Sequence, residues 1–168
     1  MMIEICGTAR LLGNNIDTDQ IFPGRYLALT DKSAIAKHCL EDVRQEFSEK
    51  HAKGSIIVAG KNFGCGSSRE HAVITLQEAG VLLVIASSFA RIFFRNAVNL
   101  GFPVLICKDA LDIASEGDRL KVGLSAGTLE NIDKNIFGSC EKLPEYIMDI
   151  LKSGGVKPRF RKIYGDEK

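Results

Sequence analysis

Apolar positions follow two different rhythms along this chain. Ser55-Ile56-Ile57-Val58-Ala59, Val81-Leu82-Leu83-Val84-Ile85-Ala86 and Val104-Leu105-Ile106-Cys107 are short unbroken runs rich in β-branched residues. Runs of this kind predict strands covered on both faces. Between them the spacing turns helical. Ala72, Val73, Leu76 and Ala79 mark a helix over 68–79 that Gly80 stops. Ser87 and Ser88 are placed to cap a second helix running to Asn99, ended by Gly101 and Pro103. Strand–helix–strand–helix–strand predicts right-handed crossovers onto a parallel sheet.

The flanking segments read differently. Ile3 to Leu12 predicts an opening strand, stopped by Gly13-Asn14-Asn15. Residues 16–25 hold turn formers without periodicity and predict an ordered loop. Asp31 and Ser33 can cap a helix over 33–40, and a second short helix is expected over 41–49. Beyond residue 107, the segments 119–124, 128–132 and 134–137 read as short strands joined by Gly-containing turns, and an amphipathic helix is expected over 144–152. The expected fold is α/β: a parallel βαβαβ core with a β-rich C-terminal part, layered β/β/α. With no internal repeat and no low-complexity linker, residues 1–168 are expected to form one domain.

Composition narrows the function classes. Lys and Arg number 22 against 21 Asp and Glu, a net +1, which favours neither a nucleic-acid nor a membrane-surface partner. One local bias stands out: Lys152, Lys157, Arg159, Arg161 and Lys162 gather around Gly154, Gly155 and Pro158. This end reads as a solvated or subunit-docking tail, with RNA binding as the alternative. No stretch approaches the ~18 apolar residues of a membrane span. Met1-Met2-Ile3-Glu4-Ile5 lacks the features of a signal peptide, so a cytoplasmic location is expected. Cys6, Cys39, Cys65, Cys107 and Cys140 are odd in number, far apart and without a Cys-x-x-Cys pair. That spacing argues against a disulfide framework and against a zinc or iron–sulfur site built from this chain alone.

Candidate chemistry concentrates in Gly60-Lys61-Asn62-Phe63-Gly64-Cys65-Gly66-Ser67-Ser68-Arg69-Glu70-His71, between a buried strand and a helix. Ligands of open parallel sheets bind outside the carboxyl ends of the strands. Gly64 and Gly66 permit close backbone approach, Ser67 and Ser68 are expected at the helix N-terminus, and Arg69 offers a charged fork suited to a carboxylate. A plain glycine turn with a serine cap fits the same spacing. Dinucleotide binding fits poorly: Arg69 stands where the third glycine belongs, and Ile85-Ala86-Ser87-Ser88 lacks the acidic residue. A nucleophilic Cys65 served by His71 has no assured geometry.

Gly66-Ser67-Ser68-Arg69-Glu70-His71, with the upstream Asp17-Thr18-Asp19-Gln20-Ile21 and Pro23-Gly24-Arg25-Tyr26-Leu27, resembles the small subunits of isopropylmalate dehydratase and homoaconitase, in the aconitase superfamily. The resemblance runs from about Leu12 to Leu105, through Ala90-Arg91-Ile92-Phe93-Phe94-Arg95-Asn96-Ala97. It implies a swivel-type domain and a hydro-lyase that moves a hydroxyl between adjacent carbons of a small dicarboxylic hydroxy acid. It also implies a [4Fe–4S] cluster on a separate large subunit, in a heterodimer or heterotetramer, with no cofactor on this chain. By the family's motif Ser67 is the general base, and Ser68 and Arg69, with the backbone at Gly66, hold the substrate carboxylate. Glu70 and His71 could orient the turn, meet the large subunit or merely begin the helix.

In the family the residues after the Pro-Gly turn reach the substrate's variable side, and homoaconitase-like members resemble Tyr-Leu-Arg-Thr there. This chain has Tyr26-Leu27-Ala28-Leu29. Ala28 cannot pair with a carboxylate, so an isopropyl branch is expected, with homoaconitate and methyl-substituted malates as alternatives. Arg25 could instead swing in, and Ala28 and Leu29 could pack against the partner. Asp17 and Asp19 are expected to fix the loop by Asx-type hydrogen bonds, with no metal. The non-enzymatic alternative is a stand-alone anion-binding regulatory module.

Overall fold

The computed structural model describes residues 3–165; Met1, Met2 and residues 166–168, which the expected 1–168 domain includes, lie outside the described residues. The described residues form a seven-stranded mixed sheet in an α/β fold. Its strands are β1 (Glu4–Leu11), β2 (Ser55–Ala59), β3 (Leu83–Ala86), β4 (Val104–Ile106), β5 (Arg119–Gly123), β6 (Thr128–Asn131) and β7 (Ile136–Ser139). The spatial order is β4-β3-β2-β1-β5-β6-β7. β1 to β4 are parallel, and β5 joins the other edge of β1 antiparallel, with Cys6 opposite Lys121. The β-rich C-terminal part thus continues the sheet of the parallel core.

Every residue of β2 and β3 is buried because both faces are covered. Side chains alternate between faces with period two. Ile57, Ala59, Val84, Ala86 and Val104 join a core beneath the helices, with Val73, Leu76, Phe63 and Phe93. Ile56, Val58, Leu83, Ile85 and Leu105 enter a second core with Leu120, Val122 and Leu129 of the antiparallel strands. The short helix α5 (Ala110–Ile113), which the pattern did not predict, lies within this second core and touches both β2 and β7.

Several helix boundaries differ from expectation. The 16–25 loop contains α1 (Thr18–Ile21), closed by a capping box: Asp17 Oδ1 accepts from Gln20 N at 2.8 Å and Gln20 Oε1 accepts from Asp17 N at 2.9 Å. A 3-10 turn, Gly24–Tyr26, follows. α2 (Lys32–Lys37) starts where Asp31 caps Ala34 N at 2.8 Å. The helix expected over 41–49 is reduced to one wide turn, Phe47–His51, because the backbone is left-handed at Leu40 and Glu46, with φ of 54° and 58°.

α3 (His71–Ala79) and α4 (Arg91–Asn99) begin about three residues later than expected, after Glu70 and Ala90, and neither has a side-chain cap. Ser88 Oγ instead accepts from Asn62 N at 2.8 Å, and Ser87 Oγ donates to Lys108 O at 3.3 Å. α6 (Glu145–Lys152) matches the expected amphipathic helix. The basic end, expected as a tail, forms a further helix, α7 (Val156–Tyr164), with Pro158 in its first turn, where a missing N–H is tolerated. Among the described residues no helix is long and apolar enough to cross a membrane.

Candidate active site

Two loops, one after β1 and one after β2, run side by side and stitch together by main-chain bonds. Asn15 N donates to Lys61 O at 2.8 Å, Gly64 N to Ile16 O at 2.7 Å and Thr18 N to Cys65 O at 2.8 Å. Parallel pairing of β1 and β2 brings both loops to the carboxyl end of the sheet. The second loop is also pinned on its other side, since Phe63 N donates to Ser88 O and Ala90 N to Phe63 O. Gly64 sits at φ 80° in this vice. A Cβ there would lie 2.1 Å from Cγ of Phe93, so the turn closes only on glycine.

Side chains then join the two motifs that the sequence holds some 50 residues apart. Thr18 Oγ1 accepts from Ser67 N at 3.1 Å and stands 3.3 Å from Ser67 Oγ. Either hydroxyl can be the donor of that contact, and the Thr18 hydroxyl, whose own proton is not used by the amide, is able to donate to the serine oxygen. Thr18 is buried, whereas Ser67 and Ser68 are exposed. Arg69 Nη1 donates to Asp19 Oδ1 at 2.6 Å. Its guanidinium lies against Gly24, where an added Cβ would come within 3.2 Å of Nη1, so the Pro-Gly turn makes room for the arginine head. Asn96 Nδ2 donates to Ser68 O at 3.1 Å and fixes the turn from α4.

The serines are not at the helix N-terminus, as expected; they precede it. α3 starts at His71, and a helix dipole fades within its first turn. The group in direct contact with Ser67 is therefore Thr18, whose role the sequence did not single out. Glu70 occupies the N-cap position, and the His71 ring stacks on Phe22 at 5.8 Å and 8°. Asp17 caps α1, as its Asx-type role required, while Asp19 reaches across to Arg69 instead. Cys65 is half-buried and meets Thr18 through its backbone. Among the described residues no group of three His, Cys, Asp or Glu side chains is arranged to hold a metal ion.

Beyond the Pro-Gly turn, Leu27 and Ala28 are exposed and Leu29 is half-buried. Arg25 is engaged by a different segment. Its guanidinium forks onto both Asp42 oxygens at 2.8 and 2.7 Å and reaches Glu41 Oε1 at 2.5 Å. Glu41 Oε2 lies 2.6 Å from His38 Nδ1, and the His38 ring stacks on Tyr26 at 3.5 Å. Burial pushes the Glu41 carboxyl up, but hydrogen bonds from His38, Tyr26 and Arg25 hold it below its ordinary value. Glu41, Asp42 and His38 carried no signal in the sequence, because nothing local couples them to Arg25.

Comparison with known proteins gives consistent neighbours. The aconitase C-terminal domain family model matches residues 43–108. The 3-isopropylmalate dehydratase small subunit of Caldicellulosiruptor saccharolyticus is 50% identical over 150 residues, covering 89% of this chain and 87% of its own. That of Hydrogenobaculum sp. is 52% identical over 144 residues, covering 85% and 87%. The crystal structure of 3-isopropylmalate dehydratase from Methanocaldococcus jannaschii superposes with a TM-score of 0.90 at 40% identity, covering 96% of this chain and 95% of that one.

Proposed function

The chain belongs to the family of 3-isopropylmalate dehydratase small subunits, and from that membership we propose how its residues share in the reaction. It is the small subunit of a heteromeric hydro-lyase of the aconitase superfamily, acting in the interconversion of 2- and 3-isopropylmalate in leucine biosynthesis. The observation that carries the residue roles is the contact between Thr18 and Ser67 beside the Arg69–Asp19 pair.

Ser67 Oγ is the general base that takes the proton from the carbon next to a substrate carboxylate. A serine hydroxyl is a weaker acid than Tyr, whose ordinary pKa is about 10, so its deprotonated oxygen needs strong stabilisation. The Thr18 hydroxyl donates to that oxygen, and Arg69 supplies positive potential. Arg69 has five N–H donors, and Asp19 engages Nη1, so the remaining donors grip the substrate carboxylate together with Ser68 and the backbone at Gly66. Asp17 holds α1 in place beneath Thr18, and Glu70 and His71 support the turn from the helix start.

Ser67 and Ser68 are exposed in this chain, so exclusion of water falls to the large subunit. In this reading a [4Fe–4S] cluster held by that subunit supplies the Lewis acid for the hydroxyl that leaves and returns. This chain's described residues offer no such ligand set, and they contribute the base and the carboxylate grip. The chain acts as a single swivel domain in a cytoplasmic heterodimer or heterotetramer. Leu27, Ala28 and Leu29 face the isopropyl branch, where an apolar surface suits methyl groups and disfavours a carboxylate.

The test is anaerobic reconstitution with the large subunit. Ser67→Ala should lower turnover on isopropylmalate by about 10²–10⁴-fold while assembly, read by gel filtration, stays intact. A near-normal rate in an assembled Ser67→Ala complex removes serine from the role of base. Ala28→Arg should shift preference toward malates with a carboxylated branch, and unchanged preference removes the loop from substrate choice.

A further inference from the structure

We propose that Glu41, Asp42 and His38 are positioning residues that latch the substrate-selecting loop through Arg25 and Tyr26. The inference rests on the reading of that loop given above and adds to it the means by which the loop holds its shape.

On its own the loop is weakly held. Tyr26 N donates to Pro23 O, Leu27 N to Gly24 O and Leu29 N to Tyr26 O, all within a few residues. Leu27 and Ala28 are exposed. The side-chain contacts that cross to residues 38–42 come from Arg25 and Tyr26, and they close a ring. Arg25 binds Glu41, Glu41 binds His38, His38 stacks on Tyr26, and Tyr26 carries the Arg25 guanidinium 4.8 Å from its centroid. Asp42 adds a bidentate grip from outside the ring. A planar fork on a carboxylate fixes orientation as well as distance, which a single hydrogen bond does not.

The far side of the ring is anchored in the core. Cys39 and Leu40, between His38 and Glu41, are fully buried, and Leu40 N donates to Ile21 O at 2.9 Å. That bond ties the latch to α1, the helix that carries Thr18 and Asp19. The selecting loop and the Ser67–Arg69 turn are therefore referenced to the same short helix. Arg25, with its charge neutralised by two carboxylates, is the loop's fastening and not a partner for the substrate's branch.

The experiment uses the assembled holoenzyme with the double variant Glu41→Gln/Asp42→Asn. Exposed ion pairs of this kind have modest strength, so KM for isopropylmalate should rise about fivefold, with kcat changed less than about twofold. Preference over a malate with a carboxylated branch should fall by a similar factor, with the thermal midpoint lowered by no more than about 4 °C. Arg25→Lys, which keeps the charge and loses the fork, should lie between this variant and the parent. His38→Phe, which keeps the stack and loses the Glu41 bond, should do the same; both single variants give the reading if the double variant fails to assemble. Unchanged KM and preference, or a fall in kcat as large as that in kcat/KM, overturns the latch. If Ala28→Arg shifts preference while the latch variants do not, the latch fails and the loop's role stands. If neither shifts it, both fail.

Discussion

Gly64 shows what a single residue contributes to this site. Its φ of 80° is open to glycine, and the space a Cβ would fill is taken by Phe93. Left-handed strain and overpacking each cost about 1–3 kcal/mol, so Gly64→Ala should destabilise the chain by about 3 kcal/mol. Urea unfolding should show the midpoint falling, with the slope preserved; an unshifted midpoint shows that Phe93 yields. The glycine's permissive backbone was legible in the sequence, but the aromatic ring behind it was not, since Phe93 comes from a different helix. Arg69 was similar: its charged fork could be read from the residue type, whereas Asp19 as its partner required the fold. Thr18 was visible only as the middle of a motif, and its contact with Ser67 appears once both loops are side by side.

Elements were legible in proportion to how locally they are determined. β2 and β3 are apolar on both faces, and an unbroken β-branched run is a direct consequence of that burial. Helix starts were harder, because a serine before a helix signals a local preference that tertiary contacts override. Ser87 and Ser88 serve neighbouring loops, and Ser67 and Ser68 belong to the candidate site. α1 escaped periodicity because four residues are scarcely one turn. Its capping box closes its N-terminus, so Asp17→Ala should cost about 1 kcal/mol by thermal unfolding. The same change should weaken catalysis in the assembled enzyme, because α1 positions Thr18 and Asp19. Full activity with lowered stability would show that the cap serves the fold alone.

At the scale of the molecule, the parallel core followed from element order, but the placement of the last three strands did not. Antiparallel pairing of β5 with β1 joins segments more than 100 residues apart, a register that no local pattern encodes. Glu116, just ahead of β5, fastens this joint: it binds Arg10 at 2.9 Å, Arg44 at 2.6 Å and Leu11 N at 2.8 Å. Burial pushes its carboxyl up, but these three partners outweigh it and lower the pKa from 4.5 to about 2. A carboxyl depressed in the folded state adds stability that is complete above its unfolded value. That stability is lost as pH falls from about 4.5 through about 2. Glu116→Gln should lower stability at neutral pH and flatten the acid limb of the stability–pH profile in that window. An unchanged limb in denaturant titrations would assign acid sensitivity to other carboxyls.

The position of β1 in the middle of the sheet has a consequence for synthesis. Its parallel neighbour is complete at residue 59, but the strand that covers its other edge is not finished until residue 123. At roughly 5–20 residues per second, a nascent chain carries that bare edge for several seconds. Throughout that interval a row of unpaired amides and carbonyls is open to a strand from a neighbouring chain, and ribosomes that stall in this stretch should hold the protein in an aggregation-prone form.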